Sequence, residues 1–508
     1  MLRHLSPRDR RLFWEFGRGP AAPLPHQLVH RAFERQAALT PHAVAATHQG
    51  ATITYGALDA LAGQLAARLV REGVRPGDRV GLFVRRSLPM LVGLLGTLKA
   101  GAAYVPQDIG LTPPAQLRHV IATAGTRVIL TQAAHRARVP LPDGQVCIAV
   151  DELPAESADP PPLRLARPTD PDDPCYVLFT SGTTGAPNGV VVTHRNVCNL
   201  LLTAPGNLGI GRGQRVAQLL NIAFDMAAWE ILGTLTAGAT LVIRGKDIAA
   251  TARTADVLIA TPTVLAGIDP AACPRVRTVA VAGETCPRPL ADLWARHAAF
   301  HNCCGPTETT IVNTMQRHRI EAARLTIGRP TPNNTVYVLD ERRRPLPIGE
   351  SGEMWAGGDC VSAGYLGNPA LTRERYAPDP FLGDGRLMFR TRDLGRWTPD
   401  GELEHLGRTD DQVKIRGFRV EPGSVSAVLE SVPGCARAIT LPHDDARSLV
   451  SFVCPQEVDP LAARAAVAAQ LPYYCVPSAV LPVAALPETD RGKIDKAALL
   501  RLAEGVTR

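Results

Sequence analysis

The chain has 508 residues, is 45% hydrophobic and carries a net charge of +7, which calls for more than one folding unit, each with a sizeable core. No stretch nears the roughly 18 apolar residues of a membrane span and residues 1–10 lack a hydrophobic signal core, so membrane and secretory readings are excluded and a cytoplasmic protein is expected. Scattered arginines speak against nucleic acid as a partner, and an odd set of 11 cysteines without a CxxC pair speaks against a disulfide framework or a zinc site.

In chain order, Ser6-Pro7 predicts a short helix with Leu12, Phe13, Trp14 and Phe16 on its apolar face, inside an N-terminal arm of residues 1–24. From about 30 to 330, helical patterns over 55–72 and 90–100 alternate with β-rich runs at 79–84, 127–130 and 240–243. Such alternation predicts α/β layers with parallel strands. A proline-rich crossing over 153–173 leads into an apolar run at 176–179, which suits a buried strand. Beyond 330 the texture changes to short strands at 335–338, 353–356, 396–397 and 403–406, a compact β-rich subdomain ending near 409. A small α+β unit follows from 410 to the end. The expected fold class is α/β: a large core domain over 25–409, made of layered α/β subdomains plus the β-rich one, and a small C-terminal domain.

The most informative stretch is Tyr176-Val-Leu-Phe-Thr-Ser-Gly-Thr-Thr-Gly-Ala-Pro-Asn-Gly-Val190. Gly182, Gly185 and Gly189 permit turns that aim successive N–H groups at one anion, and Thr180, Ser181, Thr183 and Thr184 supply hydroxyl donors for phosphate oxygens. A bare pattern of this kind is more often a surface turn. No Gly-Lys-Ser/Thr closes it, so the P-loop fold is not implied, and Asn188 stands where such loops usually carry lysine.

The stretch resembles the phosphate loop of the adenylate-forming superfamily, which includes acyl-CoA and aryl-acid ligases, luciferases and the amino-acid adenylation domains of nonribosomal peptide synthetases. The resemblance runs over nearly the whole chain, through Ile53-Thr54-Tyr55 and Leu98-Lys99-Ala100-Gly101 to Gly492-Lys493-Ile494-Asp495, and many motifs in order are far more specific than one loop. It implies ATP and Mg²⁺ as cofactors. Thr180, Ser181, Gly182, Thr183, Thr184, Gly185 and Gly283 join the cofactor-binding set. In Asn302-Cys-Cys-Gly-Pro-Thr-Glu308, Asn302 faces the adenine and Thr307 and Glu308 the phosphates, with Glu308 the Mg²⁺ ligand; the alternative is an exposed glutamate on a polar turn. Cys304 departs from the usual aromatic.

In Phe389-Arg390-Thr391-Arg392-Asp393, the resemblance makes Asp393 the ribose clamp, with Arg392 where glycine is usual. The alternative for Asp393 is an ion pair with Arg390 or Arg396. Within 407–419, Arg408 neighbours the ribose, Asp410 is the hinge that makes the small domain mobile, and Gly417 is the close-approach point for a pantetheine arm; the alternative is a charged β-hairpin. Lysine is rare, confined to Lys99, Lys246, Lys414, Lys493 and Lys496. Lys493 matches the catalytic lysine, whose ammonium bridges two approaching anions, whereas Lys496 reads as a solvated charge at a helix start.

Phe224-Asp225-Met-Ala-Ala-Trp-Glu230 resembles the opening of the specificity helix of amino-acid adenylation domains, where the aspartate pairs with the substrate's α-ammonium. The alternative for Asp225 is a helix N-cap. The implied pocket walls are Met226, Trp229, Ile259, Ala280, Ala282, Cys303, Ile311 and Val312. None is charged, which favours a neutral apolar amino acid, phenylalanine-like or leucine-like. The implied activity is aminoacyl-AMP formation followed by transfer to the phosphopantetheine of a carrier protein. The chain contains no carrier segment, so transfer in trans is expected. Nonribosomal peptide or antibiotic biosynthesis is the implied setting, with a small MbtH-like protein as a further candidate partner. An acyl- or aryl-CoA ligase and a non-catalytic nucleotide-binding homologue are the rival readings.

Overall fold

A computed structural model of the chain describes residues 2–153, 163–182, 186–444, 447–487 and 494–506. Two compact units emerge: Met1–Ile109 with Thr123–Leu178 and Gly189–Thr409, and Gly110–Ala122 with Phe179–Asn188 and Asp410–Arg508.

The first unit is built on three sheets. A nine-stranded sheet runs Arg329–Pro330, Thr314–His318, Ala299–Cys304, Thr278–Val281, Val257–Ala260, Arg215–Gln218, Thr240–Ile243, Val44–His48 and Ala51–Thr54. Its central strands are parallel, and the strands at its two ends pair antiparallel. A six-stranded sheet runs Val146–Ala149, Val128–Thr131, Arg79–Val84, Ala103–Asp108, Pro174–Thr180 and Asn188–Thr193. Between them lie the helices Tyr55–Arg71 and Leu88–Lys99, whose buried side chains share one apolar cluster with Val80 and Tyr104 of one sheet and Val216 and Leu241 of the other. Each helix begins where the chain offers a cap: Thr54 accepts from the Ala57 N–H, and Ser87 from the Met90 N–H ahead of Pro89. Lys99, one of the rare lysines, has a structural post here, its ammonium 2.8 Å from Asp59 and 3.1 Å from Glu34.

Strand alternation decides which residues face that cluster. Ile259 and Ala280 belong to it, while their neighbours Leu258, Val279 and Val281 point to the opposite face and pack with Trp294 and Phe300 in a second cluster.

The third sheet holds Asn334–Leu339, Gly352–Gly358, Leu387–Trp397 and Tyr376–Pro378, with Leu403–Arg408 pairing to Leu387–Trp397. The predicted N-terminal helix, Pro7–Gly17 with Ser6 capping, is packed on this sheet: Leu12 and Phe16 meet Val336, Val338 and Trp397, and Phe13 stacks on Tyr337. Burying each of these side chains contributes about 1.5–3 kcal/mol, enough to hold a helix too short to form alone. Trp14 is only half-buried, under the Arg18 guanidinium.

The second unit is α+β. Helices Pro422–Glu430, Pro460–Gln470 and Lys496–Val506 accompany a three-stranded sheet of Arg437–His443, Ser448–Cys454 and Ala479–Pro482. Two apolar clusters share that sheet, Ala438 and Val453 belonging to one and Leu441 and Phe452 to the other. Among the described residues, no helix is long and apolar enough to cross a membrane.

Candidate functional site

The helix Asp225–Ala237 is buried almost throughout and ends at Gly238, whose left-handed φ of +79° closes the last turn onto the Thr234 carbonyl. Asp225 is its first residue. Phe224 occupies the cap position without a side-chain cap, so Asp225 is not an N-cap. One of its carboxylate oxygens accepts a 2.7 Å hydrogen bond from the Thr307 hydroxyl, and its charge also acts on Tyr176. A carboxylate in the first turn gains from the helix dipole. One turn on, Glu230 is fully buried and accepts from the Leu219 N–H at 2.7 Å and from the Leu220 N–H and Gln218 amide. It ties the helix to the end of Arg215–Gln218, and burial pushes its carboxyl up to about 8.

Met226, Trp229, Ile259, Ala280, Ala282, Cys303, Ile311 and Val312 all belong to the same apolar cluster, and all are buried. Trp229 is held in place, because its indole N–H donates to the Gly206 carbonyl at 2.8 Å. A separate small apolar cavity, bordered by Met90, Tyr104, Ile222, Ala227, Ala228 and Ile231, uses none of these residues.

The strand Ala299–Cys304 carries Asn302 and leads into the turn that bears Thr307 and Glu308. Asn302 is buried, and its amide donates to the Thr326 carbonyl at 2.7 Å. The loop then folds back so tightly that a Cβ on Gly305 would stand 2.6 Å from Val312 Cα. Thr307–Thr309 form a 3₁₀ turn, after which Thr310 (φ +54°) and Ile311 (φ +72°) both take left-handed backbone. For a β-branched residue that is a strained conformation, of the kind that persists where surroundings over-determine it. Thr310 is held by donating to the Cys360 carbonyl, and the Asn313 N–H returns to the Cys304 carbonyl.

Glu308 is not an exposed turn residue. It is fully buried and accepts from the Tyr365 hydroxyl at 2.6 Å. Tyr365 sits on a segment strapped alongside the strand that leaves the phosphate loop: the Ala363 and Leu366 N–H groups donate to the Val191 and Gly189 carbonyls, and the Val191 N–H donates to the Gly364 carbonyl. Among the described residues no group of three or more His, Cys, Asp or Glu side chains converges. A buried carboxylate with acceptor capacity fits a hard dication that keeps waters and phosphate oxygens for its other ligands.

Asp393 lies on Leu387–Trp397 directly opposite Arg408, whose guanidinium donates to it; His405 stands 3.4 Å away. Of the two arginines named as alternative partners, Arg390 pairs with Glu353 and Arg396 with Glu404. Pairing steps from Trp355↔Arg390 to Glu353↔Leu394, so residues 391–393 bulge. Arg392 adopts φ +62° there, left-handed backbone that favours glycine, and its guanidinium pairs with Glu374. Gly283, also left-handed at φ +87°, follows Ala282 at the end of Thr278–Val281.

In the second unit, Gly182 has no room for a side chain, since a Cβ would meet the Asn188 amide nitrogen at 2.4 Å. Ser181 donates to the Arg419 carbonyl at 2.9 Å, and Thr180 ends the strand Pro174–Thr180. Arg416 and Gly417 (φ +51° and +84°) make the two-residue turn between Val413–Ile415 and Phe418–Val420, so a charged hairpin is what this segment forms. Asp410 begins the unit's C-terminal part. Lys496 is an exposed charge at the start of the helix Lys496–Val506, as expected, and its ammonium makes a surface pair with Asp411 at 2.7 Å. Thr183, Thr184, Gly185 and Lys493 lie outside the described residues.

Sequence reasoning missed Tyr365, Tyr176 and the strained Thr310-Ile311 pair. Tyr176 has a fully buried hydroxyl that finds no hydrogen-bond partner among the described residues. An isolated tyrosine in an apolar run carries no signal of its neighbours. The crowding at Gly305 did have one, the glycine itself.

Stacked α/β layers, a buried carboxylate in a tight Thr-Glu turn, and an Asp-Arg pair on a bulged strand define an adenylate-forming domain of the nonribosomal peptide synthetase type. The chain belongs to the AMP-binding enzyme family, whose profile matches residues 33–366. Adenylate-forming reductase 06235 of Coprinopsis cinerea is 48% identical over 99% of this chain and 49% of that protein. The isonitrile lipopeptide synthase of Mycobacterium tuberculosis is 38% identical over 94% of this chain and 19% of its own length. Among solved structures, holo-PA1221, a synthetase protein containing adenylation and PCP domains bound to a vinylsulfonamide inhibitor, matches with a TM-score of 0.83 at 27% identity, over 94% of this chain and 85% of that one. The chain spans about half the length of the Coprinopsis reductases.

Proposed function

We propose that this chain activates the carboxylate of a neutral, apolar α-amino acid as its aminoacyl-adenylate, consuming ATP and releasing pyrophosphate, and that the acyl group then passes to the phosphopantetheine thiol of a carrier protein. The observation that carries this reading is Asp225: a half-buried carboxylate at the head of an apolar helix, among uncharged walls, linked through Thr307 to the turn that holds Glu308. A carboxylate so placed suits the α-ammonium of an amino acid. Asp393, oriented by Arg408, accepts from the ribose hydroxyls. Glu308, oriented by Tyr365, holds Mg²⁺, whose chemistry when bound is to neutralise charge on the phosphates. Lys493 bridges the attacking carboxylate and the α-phosphate. Gly417 and Asp410 serve the thiolation stage, in which the C-terminal domain rotates about Asp410.

Relatives named adenylate-forming reductases, at 47% and 48% identity, favour a second reading in which the activated acyl group is bound for reduction. Both readings share the adenylation step. ATP–pyrophosphate exchange across the proteinogenic amino acids and simple aliphatic and aryl acids tests the first. Exchange with apolar amino acids, lost in Asp225→Ala, supports it; exchange with acids lacking an amine, indifferent to Asp225→Ala, refutes it.

A further inference from the structure

We infer that the hydrogen bond from Thr307 to Asp225 couples the two substrate sites, so that occupying one strengthens the other. The inference rests on reading Asp225 as the ammonium anchor and Thr307 as a phosphate contact. A hydroxyl has one hydrogen. While the Thr307 hydroxyl donates to Asp225, 2.7 Å away, it cannot donate to a phosphate oxygen.

The backbone cannot follow a ligand to relieve this conflict. The turn is pinned by the Thr309 and Thr310 N–H groups, which donate to the Pro306 and Thr307 carbonyls, by the Thr310 hydroxyl on Cys360, and by the contact at Gly305. Only the Thr307 side chain can turn. When it turns to phosphate, Asp225 loses a donor and keeps a negative charge near an incoming anion. An α-ammonium restores both the hydrogen bonding and the charge balance. Each substrate therefore lowers the penalty met by the other, and by linkage the effect is reciprocal. A carboxylic acid without an amine removes none of that penalty, so Thr307 serves as a specificity-determining residue although it belongs to the nucleotide motif.

The test needs no knowledge of the amino acid. Calorimetric binding of Mg²⁺ with a non-hydrolysable α,β-methylene ATP analogue is measured on the full chain, on Asp225→Asn, on Thr307→Val and on the double variant. Asp225→Asn weakens the bond that must break, so it tightens the analogue about tenfold, the low end for a hydrogen bond to a charged group. In the Thr307→Val background there is no bond to break, so the same substitution acts only through the charge it removes and tightens the analogue at least about threefold less than with threonine. Thr307→Ser keeps the hydroxyl and retains the tenfold effect, which guards against a packing artefact of valine. Equal effects of Asp225→Asn with threonine, serine and valine at 307 overturn the coupling but leave the adenylation reading standing. Failure of the wild-type chain to bind the analogue overturns both.

Discussion

Gly305→Ala is expected to disable adenylation while leaving the protein folded. A Cβ at this position would stand 2.6 Å from Val312 Cα, 2.9 Å from Asn313 N and 3.0 Å from Ile311 O, every one a backbone atom. Ordinary Cβ contacts begin at 3.4 Å, so the closest approach is short by 3.4 − 2.6 = 0.8 Å and the loop bearing Thr307 and Glu308 must move by nearly that much. The strained Thr310 and Ile311 leave little slack. Gly305 is not among the left-handed glycines, so the effect is one of space alone. A displacement near 1 Å at a catalytic group costs about 100-fold in rate, or about 2.7 kcal/mol. Overpacking should lower stability by only about 1–3 kcal/mol. The assay is kcat/KM for MgATP in pyrophosphate exchange, with a thermal melt alongside. A folded Gly305→Ala within threefold of wild type would refute the reasoning.

Tyr365→Phe keeps the ring but removes the 2.6 Å hydrogen bond to Glu308, a loss of about 1.5–3 kcal/mol for a charged acceptor; the Mg²⁺ concentration for half-maximal exchange should rise about tenfold, and an unchanged Mg²⁺ dependence would count against the pairing. Asn188→Lys adds the missing cation beside Gly182 and should lower the Michaelis constant for ATP; a value unchanged or raised contradicts this. Stability should peak near pH 6.5. Burial lowers His30 and His194 to about 3 and His301 to about 4, so the unfolded chain takes up their protons first and stability falls below pH 6.5. Burial raises Glu230 to about 8, so its stabilisation fades as pH rises from about 4.5 towards 8, while between 6.5 and 4.5 it offsets one histidine. The net loss on the acid side is about 3 kcal/mol per pH unit, and about 1 on the alkaline side. Chemical denaturation from pH 5 to 8 checks the shape, and a flat curve would sink it.

Much of the fold was legible because period and punctuation agree. The helical patterns over 55–72 and 90–100 form the helices Tyr55–Arg71 and Leu88–Lys99, and the run at 79–84 forms the strand Arg79–Val84. The shared face of Ile259 and Ala280 follows from strand alternation, once the strands are known to be parallel neighbours. The pairing of Asp225 with Thr307 was not legible, since 82 residues separate them in sequence. Arg392 in place of glycine signalled an unusual backbone, yet Glu374 as its partner comes from a helix that no local pattern connects to it. Gly417 shows the opposite hazard: the turn it occupies already demands left-handed backbone, so its presence says little by itself about a pantetheine arm.

Amino-acid-dependent ATP–pyrophosphate exchange, run on wild type and Asp225→Ala, tests the central claim most directly. Exchange confined to one or a few neutral apolar amino acids, and abolished in the variant, is the expected result. No exchange with any amino acid, or exchange that survives loss of Asp225, would contradict it.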